Sequence, residues 1–135
     1  MGRVVVDTSA WVSFLRWPRS AVASEVAGLI DHMDALLTAP VASELFQGAR
    51  TERETKNLHL LVEFVGIIDI QVPDWIAAGV VTGDLRRRGI TVPQLDALIA
   101  TMARRLGVPV LTHDRHFEHF DVALEYRDPI TPADR

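Results

Sequence analysis

Short apolar runs alternate with longer amphipathic segments along the chain. Val4–Val6 is an unbroken run of β-branched residues, which predicts a strand buried on both faces, as in a parallel sheet. Further apolar runs predict strands at 36–38, 67–70 and 108–111, and the patch at 122–126 predicts an edge strand. This alternation with helical segments predicts an α/β protein of three layers: a central, mostly parallel sheet of four to five strands with helices on both faces.

The segments between the strands have the apolar spacing of surface helices. Apolar residues recur every three or four positions, for example at Val22, Val26 and Leu29. Proline at positions 40 and 73 suits a helix start, and glycine at 89 and 107 suits a helix end. The predicted helices cover 9–15, 21–33, 40–48, 58–65, 73–85 and 93–106, preceded in the fourth case by a polar stretch at 51–57. Without a repeat or linker, residues 1–135 are predicted to form a single domain.

Composition excludes several classes of protein. The absence of cysteine excludes disulfides, thiolate metal sites and cysteine nucleophiles, and it fits a reducing cytoplasm. No segment has the ~18 to 20 unbroken apolar residues of a membrane span, and the N-terminal valine run is too short for a signal peptide. We therefore expect a cytoplasmic protein that does not contact the membrane.

Net charge at first argues against nucleic-acid binding, because the chain carries a formal charge of −4. Four acidic residues fall at candidate site positions, however, and without them the 18 acids become 14, which equals the 14 basic residues. Lys56 is the only lysine, so the other basic residues are arginines, which suit bidentate phosphate contacts. Net charge alone neither supports nor excludes nucleic-acid binding.

The four acids share a position relative to the predicted elements. Asp7 directly follows the first strand, and Asp114 follows the fourth by three residues. Asp96 lies in the first turn of its helix, and Glu44 lies one turn into the helix opened by Pro40. Because ligands of open α/β sheets bind beyond the carboxyl ends of the strands, we expect all four carboxylates at one edge.

Such a cluster fits divalent-metal chemistry. Mg²⁺ and Mn²⁺ prefer carboxylate and water oxygens, and carboxylates held close together repel one another unless a cation or a proton intervenes. Bound ions activate water and stabilise a phosphodiester under attack. Ser9 and Thr112 are expected to hydrogen-bond the ligands as supporting residues, and Arg115 and His116 are candidate substrate contacts.

Simpler interpretations stay open for the single residues. Each acid alone could be a solvated surface group, a helix cap or a dipole-complementing charge. His113, His116 and His119 recur at three-residue intervals, which invites a zinc hypothesis, although surface or substrate-contacting roles are favoured. The run 86–88 is all arginine, which suits a solvated helix end or an RNA phosphate contact. Core packing or a protein interface fits the tryptophans at 11 and 17 better than base stacking.

Four ordered segments resemble PIN-domain proteins, particularly the VapC-type toxins of toxin–antitoxin pairs. They are VVVDTSAW at 4–11, ASEL closing at GAR over 42–50, DALIA leading to LGVP over 96–109, and LTHDRHF at 111–117. The resemblance implies a PIN-like fold and a Mg²⁺- or Mn²⁺-dependent endoribonuclease, usually a homodimer, which an antitoxin holds inactive. It also implies that Asp7, Glu44, Asp96 and Asp114 carry the metal. His116 departs from the pattern, because many relatives have aspartate directly before the phenylalanine.

Three other classes of protein compete with this interpretation. A haloacid-dehalogenase-type phosphatase needs a second aspartate two residues after Asp7, where this chain has Ser9, and lysine is missing near the later motifs. A response-regulator receiver lacks its acidic pair and lysine in the same way. The third is a PIN-like module that binds RNA or protein without cutting; the four intact acids oppose it, while His116 keeps it open.

Overall fold

The computed structural model describes residues 2–135 and confirms the α/β class with a parallel sheet. The sheet has four strands: β1 (Val4–Val6), β2 (Ala35–Leu36), β3 (Val110–Thr112) and β4 (Leu124–Tyr126). The α-helices are α1 (Thr8–Arg16), α2 (Ala21–Asp31), α3 (Ala39–Gln47), α4 (Glu52–Val65), α5 (Val72–Arg87) and α6 (Gln94–Leu106). A short 3₁₀ helix, Arg115–His119, lies between β3 and β4, and a second one covers Pro132–Asp134.

Strand order explains why distant acids meet. The strands are arranged β2-β1-β3-β4, and all three pairings are parallel. Val5 of β1 pairs with Val110 of β3, which brings chain segments more than a hundred residues apart into register. Because neighbouring parallel strands end at the same edge, Asp7 after β1 and Asp114 after β3 emerge side by side.

The two central strands lie in the core. No residue of β1 or β3 is more than 4% exposed, so both faces of the sheet are covered. Trp11 is fully buried, which confirms core packing for that residue. Trp17 is half-buried at the end of α1, with the guanidinium of Arg135 5.0 Å from its ring centroid.

The strand predicted at 67–70 is wrong. Only Ile68 pairs there, in a single parallel bridge to Thr38. Its N–H donates to the carbonyl of Leu37 at 2.8 Å, and its carbonyl accepts from Ala39 at 2.9 Å. Ile67 is 45% exposed and α5 begins four residues after the bridge, so the run lacks the burial of a strand and pairs at one residue alone.

Other differences concern element boundaries. The stretch predicted to be polar and non-helical at 51–57 is the beginning of α4 from Glu52 onward. Thr51 caps it by accepting a hydrogen bond from Glu54 N–H at 3.1 Å, and two acids in the first turn complement the helix dipole. β3 ends at Thr112, one residue later than predicted, so Asp114 follows it by two residues.

Two surface regions expose large apolar side chains. The α4 patch consists of Leu15, Leu60 and Phe64, with the last two 64% and 75% exposed. The α5 stripe consists of Val72, Ile76 and Val80, which are four residues apart on one helix face. Both regions are local, and within residues 2–135 no helix has the length and apolar character to cross a membrane.

A buried ion pair joins α5 to α6. Both carboxylate oxygens of Asp74, whose side chain is 2% exposed, accept from the Arg105 guanidinium at 2.8 and 2.9 Å. Asp74 also accepts from the N–H of Gln71 at 2.9 Å and so caps α5. The hydrogen bonds from Arg105 hold the pKa of Asp74 below its ordinary value. The pair fixes the helix that carries Asp96.

We expect Asp74→Asn to lower the free energy of unfolding by about 1.5–3 kcal/mol at neutral pH, as for hydrogen bonds to a charged group. The ionised carboxylate stabilises the fold above about pH 4, and this contribution is lost as the pH falls through the lowered folded-state pKa. Urea titrations at pH 7 and at about pH 2, well below the ordinary pKa of the carboxyl, measure the difference. Asp84→Asn, an exposed acid of the same helix that pairs with Arg87, is the matched control. An equal loss at both pH values would contradict this account.

Candidate active site

Asp7 is a buried carboxylate between β1 and α1. It occupies the N-cap position of α1, yet its side chain makes no capping hydrogen bond to that helix. Instead its Oδ2 accepts from the hydroxyls of Ser9 at 2.9 Å and Thr112 at 2.8 Å. Only 4% of Asp7 is exposed, and burial raises its pKa although these hydrogen bonds oppose the shift. A helix-capping role therefore does not account for the hydrogen bonds that the Asp7 side chain accepts from Ser9 and Thr112.

Two hydroxyls connect the ends of β1 and β3. Thr112 Oγ1 donates to Asp7 and accepts from the backbone N–H of Asp114 at 2.9 Å. Ser9 Oγ likewise donates to Asp7 and accepts from the N–H of His113 at 3.0 Å. Each hydroxyl thus joins Asp7, which follows β1, to the backbone that follows β3.

Glu44 approaches from α3 and is held by a residue that sequence reasoning missed. Its Oε1 accepts from Thr8 Oγ1 at 2.8 Å, and both side chains are half-buried. Thr8 begins α1 directly after Asp7, so the turn that delivers Asp7 also positions Glu44. The position of a hydroxyl next to a candidate ligand was the available signal.

Asp96 is the electrostatic centre of the cluster. Its side chain is 13% exposed in the first turn of α6. Burial raises its pKa to about 7, with further contributions from the negative charges of Asp7, Asp114 and Glu44 and an opposing one from His116. The four carboxylates selected from the sequence are therefore close enough to repel one another.

Asp114 and His116 lie beside Asp96. Asp114 Oδ1 accepts from the His116 N–H at 2.8 Å and so caps the short 3₁₀ helix. The Nδ1 atom of His116 lies 3.3 Å from Asp114 Oδ1 and 3.9 Å from Asp96 Oδ2. One ligand atom of each of these three residues lies within 4.8 Å of the others. Asp7 and Glu44 are outside that tightest group and contribute charge to it.

The other histidines do not converge with His116. His113 Nδ1 contacts the carbonyl of Asp128 at 2.8 Å, and its Nε2 lies 2.9 Å from the hydroxyl of Ser13. His119 lines a separate cleft of about 550 Å³ between α5 and α6. The three-residue spacing of the histidines therefore does not form a zinc site among the described residues.

Arg115, a candidate substrate contact, is engaged elsewhere. Its guanidinium donates to Glu118 at 2.8 Å and lies 4.2 Å from the centroid of the Tyr126 ring. In the arginine run at 86–88, Arg87 pairs with Asp84. Neither arrangement places a guanidinium among the four acids.

The donor set fits a hard divalent cation. Carboxylate oxygens predominate, and repulsion from the neighbouring acids adds to burial in raising the pKa of Asp96. A divalent cation relieves this repulsion without protonating a ligand. Asp96 and Asp114 belong to the tightest group of potential ligands and could hold such an ion, and Asp7 and Glu44 could supply further oxygen donors.

Residues 4–123 match the PIN domain family model, and the chain belongs to that family. Ribonuclease VapC11 of Mycobacterium tuberculosis is 34% identical over 122 residues, which cover 85% of this chain and 89% of that protein. VapC ribonuclease Mb1587 of Mycobacterium bovis is likewise 34% identical, with the same coverage.

Solved structures share the fold. VapBC2 from Rickettsia felis, bound to a DNA fragment from its promoter, superposes with a TM-score of 0.79 at 19% identity, over 93% of this chain and 98% of that one. DNA-bound VapBC from Salmonella typhimurium gives a TM-score of 0.77 at 21% identity, over 93% and 98% of the two chains. The order of strands and helices is thus that of the PIN fold.

We expect Asp96→Asn to stabilise the metal-free protein, raising its melting temperature at pH 8 by about 5 °C or more. The pKa of Asp96 is raised on folding to about 7, so ionised Asp96 destabilises the fold above pH 7, and this cost fades as the pH falls towards 4. Thermal melts in EDTA at pH 8 and pH 5 measure it. Millimolar Mn²⁺ should stabilise the wild type more than the variant, because the variant loses a ligand.

Asp121→Asn is the matched control for this experiment, because its side chain is 87% exposed outside the cluster. We expect it to leave the melting temperature unchanged under all these conditions. A destabilised Asp96→Asn protein in EDTA at pH 8 would show that the carboxylates do not repel one another as described.

Proposed function

We propose that this chain is a Mg²⁺- or Mn²⁺-dependent endoribonuclease, the toxin of a toxin–antitoxin pair, acting in the cytoplasm as a single PIN-like domain. The observation that carries the proposal is the gathering of four carboxylates at one site, where burial of Asp96 and then repulsion from the other three charges raise its pKa to about 7. A divalent cation is the ligand that relieves such repulsion. Similarity to proteins named VapC ribonuclease supports RNA as the substrate.

The chain's own residues have distinct tasks in this proposal. Asp96 and Asp114 would hold a metal ion, with Glu44 and Asp7 as additional oxygen ligands. When bound, such an ion supplies Lewis acidity and neutralises negative charge on a phosphodiester. Thr112 and Ser9 orient the Asp7 carboxylate by donating to it, and these hydrogen bonds oppose the rise of its pKa.

The alternative is a catalytically weak PIN-like module that binds RNA or protein. His116 favours it, since an imidazole stands where many PIN-domain relatives supply a carboxylate. The fixed positions of Asp7 and Glu44 oppose it, because a module that only binds gains nothing from holding four repelling acids together. Measuring binding and cleavage separately decides between the two functions.

We expect purified protein to cut labelled RNA with Mg²⁺ or Mn²⁺ and to be inactive in EDTA. Asp7→Asn and Asp114→Asn should each lower the cleavage rate by at least about a hundredfold, because each removes charge from the cation site. Gel assays over a metal titration give the rates, and filter binding gives RNA affinity. Asp121→Asn removes an exposed acid outside the cluster and should leave cleavage unchanged. Cleavage that persists in the Asp7 and Asp114 variants would reject these site residues, whereas RNA binding without cleavage under any metal would support the binding module.

The same proposal includes a homodimer and an antitoxin partner. A solved structure of similar fold, VapBC-5 from Mycobacterium tuberculosis, is described as a member of the VapBC family of toxin–antitoxin systems, which supports the antitoxin. The α5 stripe supports the dimer, because it runs over three turns of helix without any element covering Val72, Ile76 or Val80. A self-complementary helix face is suited to contact its own copy about a two-fold axis.

Light scattering after gel filtration tests the dimer. For the wild type we expect a mass twice the 15.0 kDa of one chain. For Ile76→Arg, which puts a charge in the α5 stripe, we expect the mass to fall towards that of a single chain. Phe64→Arg makes the same change in the α4 patch and should leave the dimer intact. A monomeric wild type at high micromolar concentration would rule the dimer out.

A further inference from the structure

His116 has the position of a metal ligand. Its Nδ1 atom faces two carboxylates, at 3.3 Å from Asp114 and 3.9 Å from Asp96. Within the described part of the chain, neither ring nitrogen of His116 makes a hydrogen bond. The backbone is fixed, in contrast, because Asp114 accepts from the His116 N–H at 2.8 Å. The imidazole is therefore held over the acids while its nitrogen keeps its coordinating capacity.

The distances agree with shared coordination of one ion. Ligands of a small octahedral divalent ion lie about 2.1 Å from it, so two of them are about 3.0 Å apart when adjacent and about 4.2 Å when opposite. Both distances from His116 Nδ1, 3.3 and 3.9 Å, fall in that interval. The ligand atoms of Asp96 and Asp114 lie within 4.8 Å of each other, so side-chain adjustments can bring all three ligand atoms onto one ion.

We propose that His116 Nδ1 is a protein ligand of the metal and makes the site a mixed nitrogen–oxygen site, selective for Mn²⁺ over Mg²⁺. This inference rests on the proposed metal dependence of the chain. Mg²⁺ strongly prefers oxygen ligands, and imidazole suits Fe²⁺ and the later transition ions best. Mn²⁺ also favours oxygen, but it stands at the start of that transition series and accepts an imidazole ligand more readily than Mg²⁺ does. One imidazole among carboxylates raises affinity for Mn²⁺ without a matching gain for Mg²⁺.

A simple ion pair is the competing account of the same contacts. In that case His116 is a cation that offsets the charge of Asp96 and Asp114, and a bound metal displaces it. The two accounts predict opposite effects of removing the imidazole. Loss of a ligand weakens Mn²⁺ binding, whereas loss of a competing cation strengthens the binding of both Mn²⁺ and Mg²⁺.

Two measurements on the full chain separate these accounts. Calorimetric titration gives the Kd values of Mn²⁺ and Mg²⁺, and electron spin echo envelope modulation of bound Mn²⁺ detects the nitrogen of a coordinated imidazole. For His116→Ala we expect the Kd of Mn²⁺ to rise by about tenfold or more and that of Mg²⁺ to rise much less, together with loss of the nitrogen signal. For His116→Asp, an all-carboxylate site, we expect retained binding, no nitrogen signal and a lower preference for Mn²⁺.

His119→Gln is the matched control, because His119 lies on the same 3₁₀ helix and lines the separate cleft. It should keep the wild-type Kd values and nitrogen signal. Melting curves in EDTA verify that each variant folds, and the Asp variant carries the test if the Ala variant does not. A nitrogen signal that survives in His116→Asp, or Mn²⁺ binding that lacks it in the wild type, overturns the role of His116 alone. A wild type with no saturable Mn²⁺ binding overturns the proposed metal dependence itself.

Discussion

Repulsion among carboxylates at one edge of the sheet is the constraint on which the rest of the structure depends. Burial of Asp96, together with the nearby charges of Asp7, Asp114 and Glu44, raises its pKa to about 7. Isolated in water they would separate, so the fold has to hold them. Thr112 donates to Asp7, Thr8 donates to Glu44, and the His116 N–H donates to Asp114, while buried strands hold the backbone beneath them. The stability of the surrounding fold therefore keeps the charged edge assembled.

The sequence was sufficient to predict the elements whose pattern is strongly periodic or fully buried. β1 and the helix that carries Asp96 were predicted within a residue or two, because a triple-valine run and an apolar stripe each have one structural interpretation. The failure at 67–70 has a physical reason. An apolar run of four residues predicts a strand only if a partner covers it, and here Ile67 and Asp69 face solvent.

The site was predictable to a different extent. Strand ends and helix starts predicted which acids share an edge, because parallel strands end together. Hydrogen bonds to the acids were harder to foresee: Ser9 and Thr112 lie close to acids in sequence, whereas the contact of Thr8 with Glu44 spans 36 residues and depends on how α1 meets α3. The contact of Arg115 with Tyr126 likewise depends on β4, the edge strand that pairs with β3. Tertiary contacts of this kind leave no periodic signal.

The bond from Thr112 to Asp7 also has a consequence for the timing of folding. Its two partners are 105 residues apart, and the segments they belong to meet only when β3 pairs with β1. A ribosome-bound chain that has not yet released β3 therefore lacks the donor that orients Asp7, and it also lacks Asp114 and His116. For a protein proposed to cut RNA, an incomplete chain without these site residues does not cut the RNA of the ribosome that is making it. The order in which the chain is synthesised thus delays the hazard until nearly the whole domain has been made.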